Sequence, residues 1–279
     1  MTPTVAGALA EARRRGVDRL DVQLLLGAML GKSRAWLIAH DDAPLDATQV
    51  ARLNAAFEAK ADGVPLAYLT GEQIFCGLPL AVGPGVLVPR PETEGLVDWA
   101  LACLQGRTDV AVADLGTGSG AIALAIKSAR PAAQVTAVER SPEALAMARA
   151  NGARLQLAVD WHLGHWWQPL AGRQFDLVVA NPPYVAADDP HLPALRHEPT
   201  SALVAGRDGL DDLRQIIAEA PPQLRPGGWL LLEHGHDQGP ATRQLLAAAG
   251  FTDLSTRQDL AGLDRCSGGR KPEMPAETA

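Results

Sequence analysis

Cysteine is scarce and unpatterned in this chain: Cys76, Cys103 and Cys266 are the only three, with no C-x-x-C spacing and one thiol left over. That argues against a disulfide framework and against a zinc site, and it suits a reducing compartment. Long apolar runs are missing too. Each hydrophobic stretch is broken by Gly, Pro or a charge well before the roughly 20 residues of a membrane span, and no charged-then-apolar leader opens the chain. A soluble, cytoplasmic protein is expected. Nor is there an excess of positive charge, since 25 Lys and Arg face 32 Asp and Glu for a net −7. The global basic footprint of a nucleic-acid binder is therefore absent, and the local run Arg13-Arg14-Arg15 reads as a solvated helix end. No internal repeat is visible.

What the chain does have is length for one large domain and a small one, at 279 residues. Up to residue 72, apolar residues recur at helical spacing: Val17, Leu20, Leu24, Leu25, Ala28 and Met29, then Val50, Leu53 and Phe57. This predicts a small helical domain over 1–72. Residues 73–90 carry Gly77, Pro79, Gly83, Pro84 and Gly85 among short β-prone pieces, which suits a hairpin linker. Over 91–270, helical stretches alternate with strands expected at 110–115, 134–139, 154–159, 175–180 and 229–233. That order implies an α/β domain with a mostly parallel sheet. The remainder, 271–279, belongs to a polar stretch rich in Gly, Pro and Glu and is expected to be a disordered tail.

The first of these strands runs into Asp114-Leu115-Gly116-Thr117-Gly118-Ser119-Gly120, and a helix over 121–129 follows. At such a turn glycines let the backbone approach a ligand, while the helix start offers unpaired N–H donors and a positive dipole end. The spacing suits a nucleoside-bearing cofactor without separating NAD from S-adenosylmethionine. Glu139 ends the next strand, where a carboxylate can accept from both ribose hydroxyls. Asp160 and Trp161 are expected to close the third strand, placing an acceptor for an adenine amino group beside an indole that can lie against its ring. Trp166 and Trp167 read as ordinary core aromatics, and Glu92, Glu94 and Glu233 as structural carboxylates.

The turn Asn181-Pro182-Pro183-Tyr184, at the end of the fourth strand, discriminates among these readings. Prolines fix φ and remove donors, so the Asn181 side chain and the Pro182 carbonyl can both stand as acceptors for a planar –NH2 group beside an aromatic ring. With this turn and Asp114–Gly120 go three further segments: Pro65-Leu66-Ala67-Tyr68-Leu69-Thr70-Gly71, Val88-Pro89-Arg90-Pro91-Glu92-Thr93-Glu94, and Leu230-Leu231-Leu232-Glu233-His234-Gly235. As a set they resemble the release-factor glutamine methyltransferases, the HemK/PrmC family, over nearly the whole length.

The resemblance implies a Rossmann-like class I methyltransferase sheet joined by the hairpin linker to a small helical substrate-recognition domain. It implies S-adenosylmethionine as cofactor and methyl transfer to the side-chain N5 of a glutamine in class 1 peptide chain release factors. Gly116, Thr117, Gly118, Ser119 and Gly120 would line the cofactor, Glu139 would hold its ribose, and Asp160 and Trp161 would meet its adenine. Asn181 would touch cofactor and substrate, and Pro182, Pro183 and Tyr184 would complete the glutamine pocket. Asn181, Pro182 and Tyr184 would carry the catalysis, with no metal, no direct nucleic-acid contact and no membrane, in a monomer. The family usually has a more β-like last strand than Arg265-Cys266-Ser267-Gly268-Gly269-Arg270, so the final hairpin is in doubt. A ribosomal-protein glutamine is the alternative substrate. An adenine-N6 DNA methyltransferase would share the turn but needs a basic groove, and a non-catalytic scaffold or an NAD oxidoreductase has no use for the turn.

Overall fold

Side-chain caps set the starts of the first four helices. Thr4 accepts from the Gly7 amide ahead of α1 (Val5–Arg14), Asp18 from Leu20 at α2 (Arg19–Leu30), and Ser33 from Trp36 at α3 (Arg34–Ala39). At α4 (Ala47–Ala61), Asp46 and Gln49 cap each other's backbone reciprocally. A short α5 (Leu66–Thr70) follows Pro65. These helices, with Leu45 from the connection ahead of α4, bury Val5, Val22, Leu25, Leu26, Leu37, Leu53 and Phe57 in one core. The stripe on α2 differs from the expected one: Leu20 and Leu24 are exposed. Starting the helix at Arg19 turns Val22, Leu25 and Leu26 inward instead, at i, i+3 and i+4.

The computed structural model describes residues 3–273. The chain divides into two compact units, one of Met1–Glu72 with Val82–Pro84 and Pro193–His197, the other of Gln73–Ala81, Gly85–Leu192 and Glu198 onward. A two-stranded sheet pairs β1 (Glu72–Phe75) with β2 (Leu78–Ala81). Then come α6 (Glu94–Cys103), β3 (Ala111–Leu115), α7 (Ala121–Ala129), β4 (Gln134–Glu139), α8 (Pro142–Leu155), β5 (Asp160–Leu163) and β6 (Phe175–Ala180). The chain continues through α9 (Asp211–Glu219), β7 (Leu224–Glu233), α10 (Gly239–Ala248), β8 (Thr252–Gln258) and β9 (Asp264–Arg270).

The seven larger strands lie in the order β5-β4-β3-β6-β7-β9-β8. All pairs from β5 to β7 are parallel, and β9 runs antiparallel to β7 and β8. The chain thus leaves β3 toward β4 and β5, then returns to β3's other side with β6. This reversal makes a topological switch point, where open α/β sheets bind ligands outside the strands' C-terminal ends. All six residues of β6 are buried, as a central parallel strand covered on both faces requires.

Two local readings are corrected. Residues 154–159 are no strand: α8 runs to Leu155, Gln156 takes the left-handed φ of 57° that ends it, and β5 begins only at Asp160. Leu155, Leu157 and Val159 pack against the core from that helix end and connector, so their alternation mimics a strand. The last hairpin does form. Gly268 is needed in β9 because a Cβ there would come within 2.5 Å of Leu231 and 3.0 Å of Trp99. Lys271 is held as well, its backbone bonding the Gly228 carbonyl and its amine reaching the Pro221 and Leu224 carbonyls. Residues 274–279 of the expected tail lie outside the described residues. No helix among the described residues is long and apolar enough to cross a membrane.

Candidate active site

A cleft with about 910 Å³ of empty space opens at the C-terminal ends of β3, β4 and β6. Its floor is the glycine loop. Gly116 has φ 73°, and a Cβ there would collide with the Trp166 ring at 2.9 Å; at Gly118 a Cβ would meet nothing within 4 Å. The Glu139 carboxylate ties two loops together, Oε2 accepting from the Gly118 amide and Oε1 from the Ser141 amide, each at 2.9 Å. An ionised carboxylate has about four acceptor positions, so capacity remains for a ligand's hydroxyls.

Beneath the loop, Asp114 is fully buried. Its Oδ2 accepts from the Thr117 hydroxyl at 2.5 Å and from the Ala123 amide at 3.1 Å, while Oδ1 has no partner. Burial pushes this acid up to about 7.

The Asn-Pro-Pro-Tyr turn forms the opposite end. Asn181 follows directly from β6, and its Nδ2 donates to the Thr93 hydroxyl at 3.3 Å. Its Oδ1 is buried and accepts from nothing. The Tyr184 amide donates to the Leu203 carbonyl at 3.1 Å, and its own carbonyl accepts from Gln238 at 3.0 Å, so the turn is fixed from both sides. The Tyr184 hydroxyl donates to Glu233 Oε1 at 3.4 Å. Burial pushes the Tyr184 phenol above its ordinary value, with Glu233 adding to the effect, so it stays a donor. Glu233 itself is 1% exposed, with Oε2 unpartnered.

A wall of the cleft comes from residues 199–202. Just ahead of it, buried Glu198 accepts from the Val88 amide at 3.0 Å and pairs with Arg90, and Arg140 donates to the Ser201 carbonyl.

Of the residues singled out from the sequence, Gly116, Thr117, Gly118, Ser119, Glu139, Asn181 and Pro183 line this cleft. Gly120 sits behind it, starting α7 with φ 88°. Pro182 is buried, and Tyr184 stands on the far side of the turn against Glu233. Asp160 and Trp161 are placed elsewhere. Because β5 starts with them, they lie at the strand end remote from the cleft: Asp160 pairs with Arg173 at 2.8 Å and His162 at 2.9 Å, and the Trp161 ring packs on Gly120 and Gly152. The residues that do leave the C-terminal end of β5 into the cleft are Gly164, His165 and Trp166. Trp166 holds a left-handed φ of 45°, rare for a bulky residue and characteristic of functional sites. Trp167, by contrast, is core, its indole donating to the Ile216 carbonyl at 3.1 Å. Glu94 accepts from the Cys76 amide at 2.7 Å, a structural role. Among the described residues no group of His, Cys, Asp and Glu could hold a metal ion.

Comparison with known proteins places this geometry in a family. Residues 98–197 match the methyltransferase small domain, and residues 5–71 match the PrmC N-terminal domain. Among solved structures, a methyltransferase from Pyrococcus furiosus superposes with a TM-score of 0.54 at 19% identity, covering 81% of this chain and 100% of that one. The Thermus thermophilus 16S rRNA N2 G1207 methyltransferase, in complex with AdoMet and guanosine, gives 0.56 at 21% identity over 72% of this chain and 49% of that one. These two share the fold. Nearer relatives are the release factor glutamine methyltransferases of Xylella fastidiosa, 49% identical over 97% of this chain and 99% of the relative, and of Pseudomonas aeruginosa, 49% identical over 90% and 92%. With that identity running through both the helical unit and the sheet that carries the cleft, the chain belongs to the release factor glutamine methyltransferase family.

Proposed function

We propose that the protein transfers a methyl group from S-adenosylmethionine to the side-chain N5 of a glutamine in class 1 peptide chain release factors, acting as a cytoplasmic monomer. The observation that carries this reading is the buried, unpartnered Oδ1 of Asn181, on a residue that lines the cleft with its Nδ2 already committed to Thr93. A buried acceptor without a donor costs about 1–3 kcal/mol, so the site favours a ligand that brings an N–H to it.

The cleft also fits the cofactor. Glu139 stands where a ribose diol can donate to it, Gly118 leaves open space above the backbone, and Trp166 offers an aromatic face for an adenine. Gly116 to Ser119 hold the amino-acid side, with Gly120 and the first turn of α7 behind them. When bound, S-adenosylmethionine supplies an electrophilic methyl carried on a sulfonium.

The chain's own residues have to compensate for a poor nucleophile, because an amide lone pair is delocalised into its carbonyl. Asn181 Oδ1 and the Pro182 carbonyl accept the two N–H groups, which orients the nitrogen and disperses the positive charge that grows on it. Pro182 and Pro183 keep the turn rigid, and Tyr184 braces it from behind through Glu233. Holding two reactants in line saves about 7–11 kcal/mol of barrier in well-oriented systems, and preorganised polar groups add roughly 3–4 kcal/mol. Positioning therefore dominates, and the proton leaves the nitrogen once its charge has formed.

The test is transfer of radiolabelled methyl. Label is expected in a class 1 release factor and is lost when the target glutamine is replaced by glutamate, which has no N–H to give. Labelling of duplex DNA or free glutamine at an equal rate would overturn the reading.

A further inference from the structure

We propose that Gln238 is a positioning residue for methyl transfer, gripping the Asn-Pro-Pro-Tyr turn at its Tyr184 end so that the Asn181 and Pro182 acceptors keep their aim. The inference rests on the glutamine-methylation reading above. Pro182 and Pro183 carry no N–H, so the turn has no donor of its own between Asn181 and Tyr184. Its start is set by the end of β6. Its aim then depends on what holds Tyr184, the next residue with both a backbone donor and a backbone acceptor.

The Tyr184 amide donates to the Leu203 carbonyl at 3.1 Å, and the Tyr184 carbonyl accepts from Gln238 Nε2 at 3.0 Å. The direction of the Gln238 amide is forced. Its Oε1 accepts from the Gly235 amide at 2.9 Å, which turns the –NH2 toward the carbonyls of Tyr184, Asp208 and Gly209, the last two each at 3.3 Å. A flipped amide would set an acceptor against all of these carbonyls and a donor against the Gly235 N–H. One side chain thus staples together the connection after β6, the loop ahead of α9 and the connection after β7. Gly209 makes room for it: φ there is 73°, and a Cβ would collide with the Tyr184 carbonyl and come within 2.7 Å of Gln238 Nε2.

The post that carries this staple is itself fixed. Gln238 stands at the N-cap of α10, its amide donating to the Gly235 carbonyl at 2.9 Å. Its carbonyl accepts from the amide and the hydroxyl of buried Thr242, each at 2.9 Å. Gln238 is not among the residues that line the cleft, so its influence on the reacting nitrogen passes through the turn. That influence is large in kind, because misplacing a reactant by about 1 Å costs on the order of 10²-fold in rate.

The experiment is single-turnover methyl transfer to a class 1 release factor at saturating S-adenosylmethionine and release factor, with both affinities and the melting temperature measured separately. Gln238→Met keeps the length and loses the donors, while Gln238→Glu keeps the acceptor for Gly235 and turns a second acceptor toward Tyr184. Each should slow transfer by about 10–100-fold and leave both affinities within about twofold of wild type. In an Asn181→Ala background the same changes should cost about threefold at most, because two acceptors that hold one –NH2 group act as a unit. A wild-type rate in either variant overturns the proposal. So does a loss of equal size in the Asn181→Ala background, or a loss that appears in S-adenosylmethionine affinity instead of rate. Failure of both variants to fold overturns it too, since Gln238 would then hold the domain and not the turn. Absence of any glutamine labelling by wild type defeats the parent reading instead.

Discussion

Asp114 and Glu233 invite comparison, being two buried carboxylates, one beneath the glycine loop and one behind the Asn-Pro-Pro-Tyr turn, each with a single oxygen lacking a partner. Burial raises both to about 7. They differ in what they hold. Asp114 takes the Thr117 hydroxyl and the Ala123 amide, groups of the glycine loop and the first turn of α7, and so shapes backbone. Glu233 takes the Tyr184 hydroxyl, and so braces the Asn-Pro-Pro-Tyr turn from behind. A cradle of backbone can bind a cofactor, since it needs only shape and N–H donors. The chemistry at the other end needs a side chain with a defined direction, and the Asn181 Nδ2 is held there by the Thr93 hydroxyl.

The comparison can be broken most severely at the reacting end. Asn181→Ala removes the acceptor and leaves the proline frame, so single-turnover methyl transfer at saturating S-adenosylmethionine is expected to slow by about 10²–10³-fold while the melting temperature hardly moves. Next comes the electrostatic cost of Glu233. Its folded-state acidity is lowered, that is, its pKa is raised to about 7, so its stabilising share is full below the unfolded value near 4.5 and is lost as pH climbs through 7. Urea unfolding should show wild type losing roughly 2–3 kcal/mol relative to Glu233→Gln between about pH 5 and about pH 8. A constant difference across that range would place Glu233 in a more polar environment than the structure does.

Changes at the cofactor end should be smaller and should appear in binding. Glu139→Ala frees the Gly118 and Ser141 amides as well as losing its ligand contact, and calorimetry should record S-adenosylmethionine affinity weakened by roughly 1.5–3 kcal/mol. Thr117→Val deletes only one of the two bonds to Asp114, so a loss of about 1 kcal/mol in the same titration is expected, with the rate at saturating cofactor unchanged. If Thr117→Val lowered the rate rather than the affinity, the division of labour between the two carboxylates would be wrong.

Much of this was legible in the sequence where chain-local chemistry decides. The glycine loop between β3 and α7, Glu139 at the end of β4, and Asn181 at the end of β6 all follow from strand–turn–helix order. The misplacement of Asp160 and Trp161 has a local cause: Leu155, Leu157 and Val159 alternate like a strand, and the helix ends on Gln156 in a left-handed conformation with no glycine to announce it. Trp166 went unrecognised as a cleft residue because nothing in His165-Trp166-Trp167 tells which indole turns inward; a left-handed φ at Trp166 decides it. In β9, glycines that look strand-averse are required by the closeness of Leu231 and Trp99, which no composition reveals. The Asn181–Thr93 hydrogen bond joins residues far apart in sequence, so it could be found only in three dimensions.

Mass spectrometry of class 1 release factors from cells lacking this gene tests the central claim most directly. The target glutamine should be one CH2 lighter than in wild-type cells, with the methyl restored by the wild-type gene and not by Asn181→Ala. Full methylation of that glutamine without the gene, or full restoration by Asn181→Ala, would contradict the account.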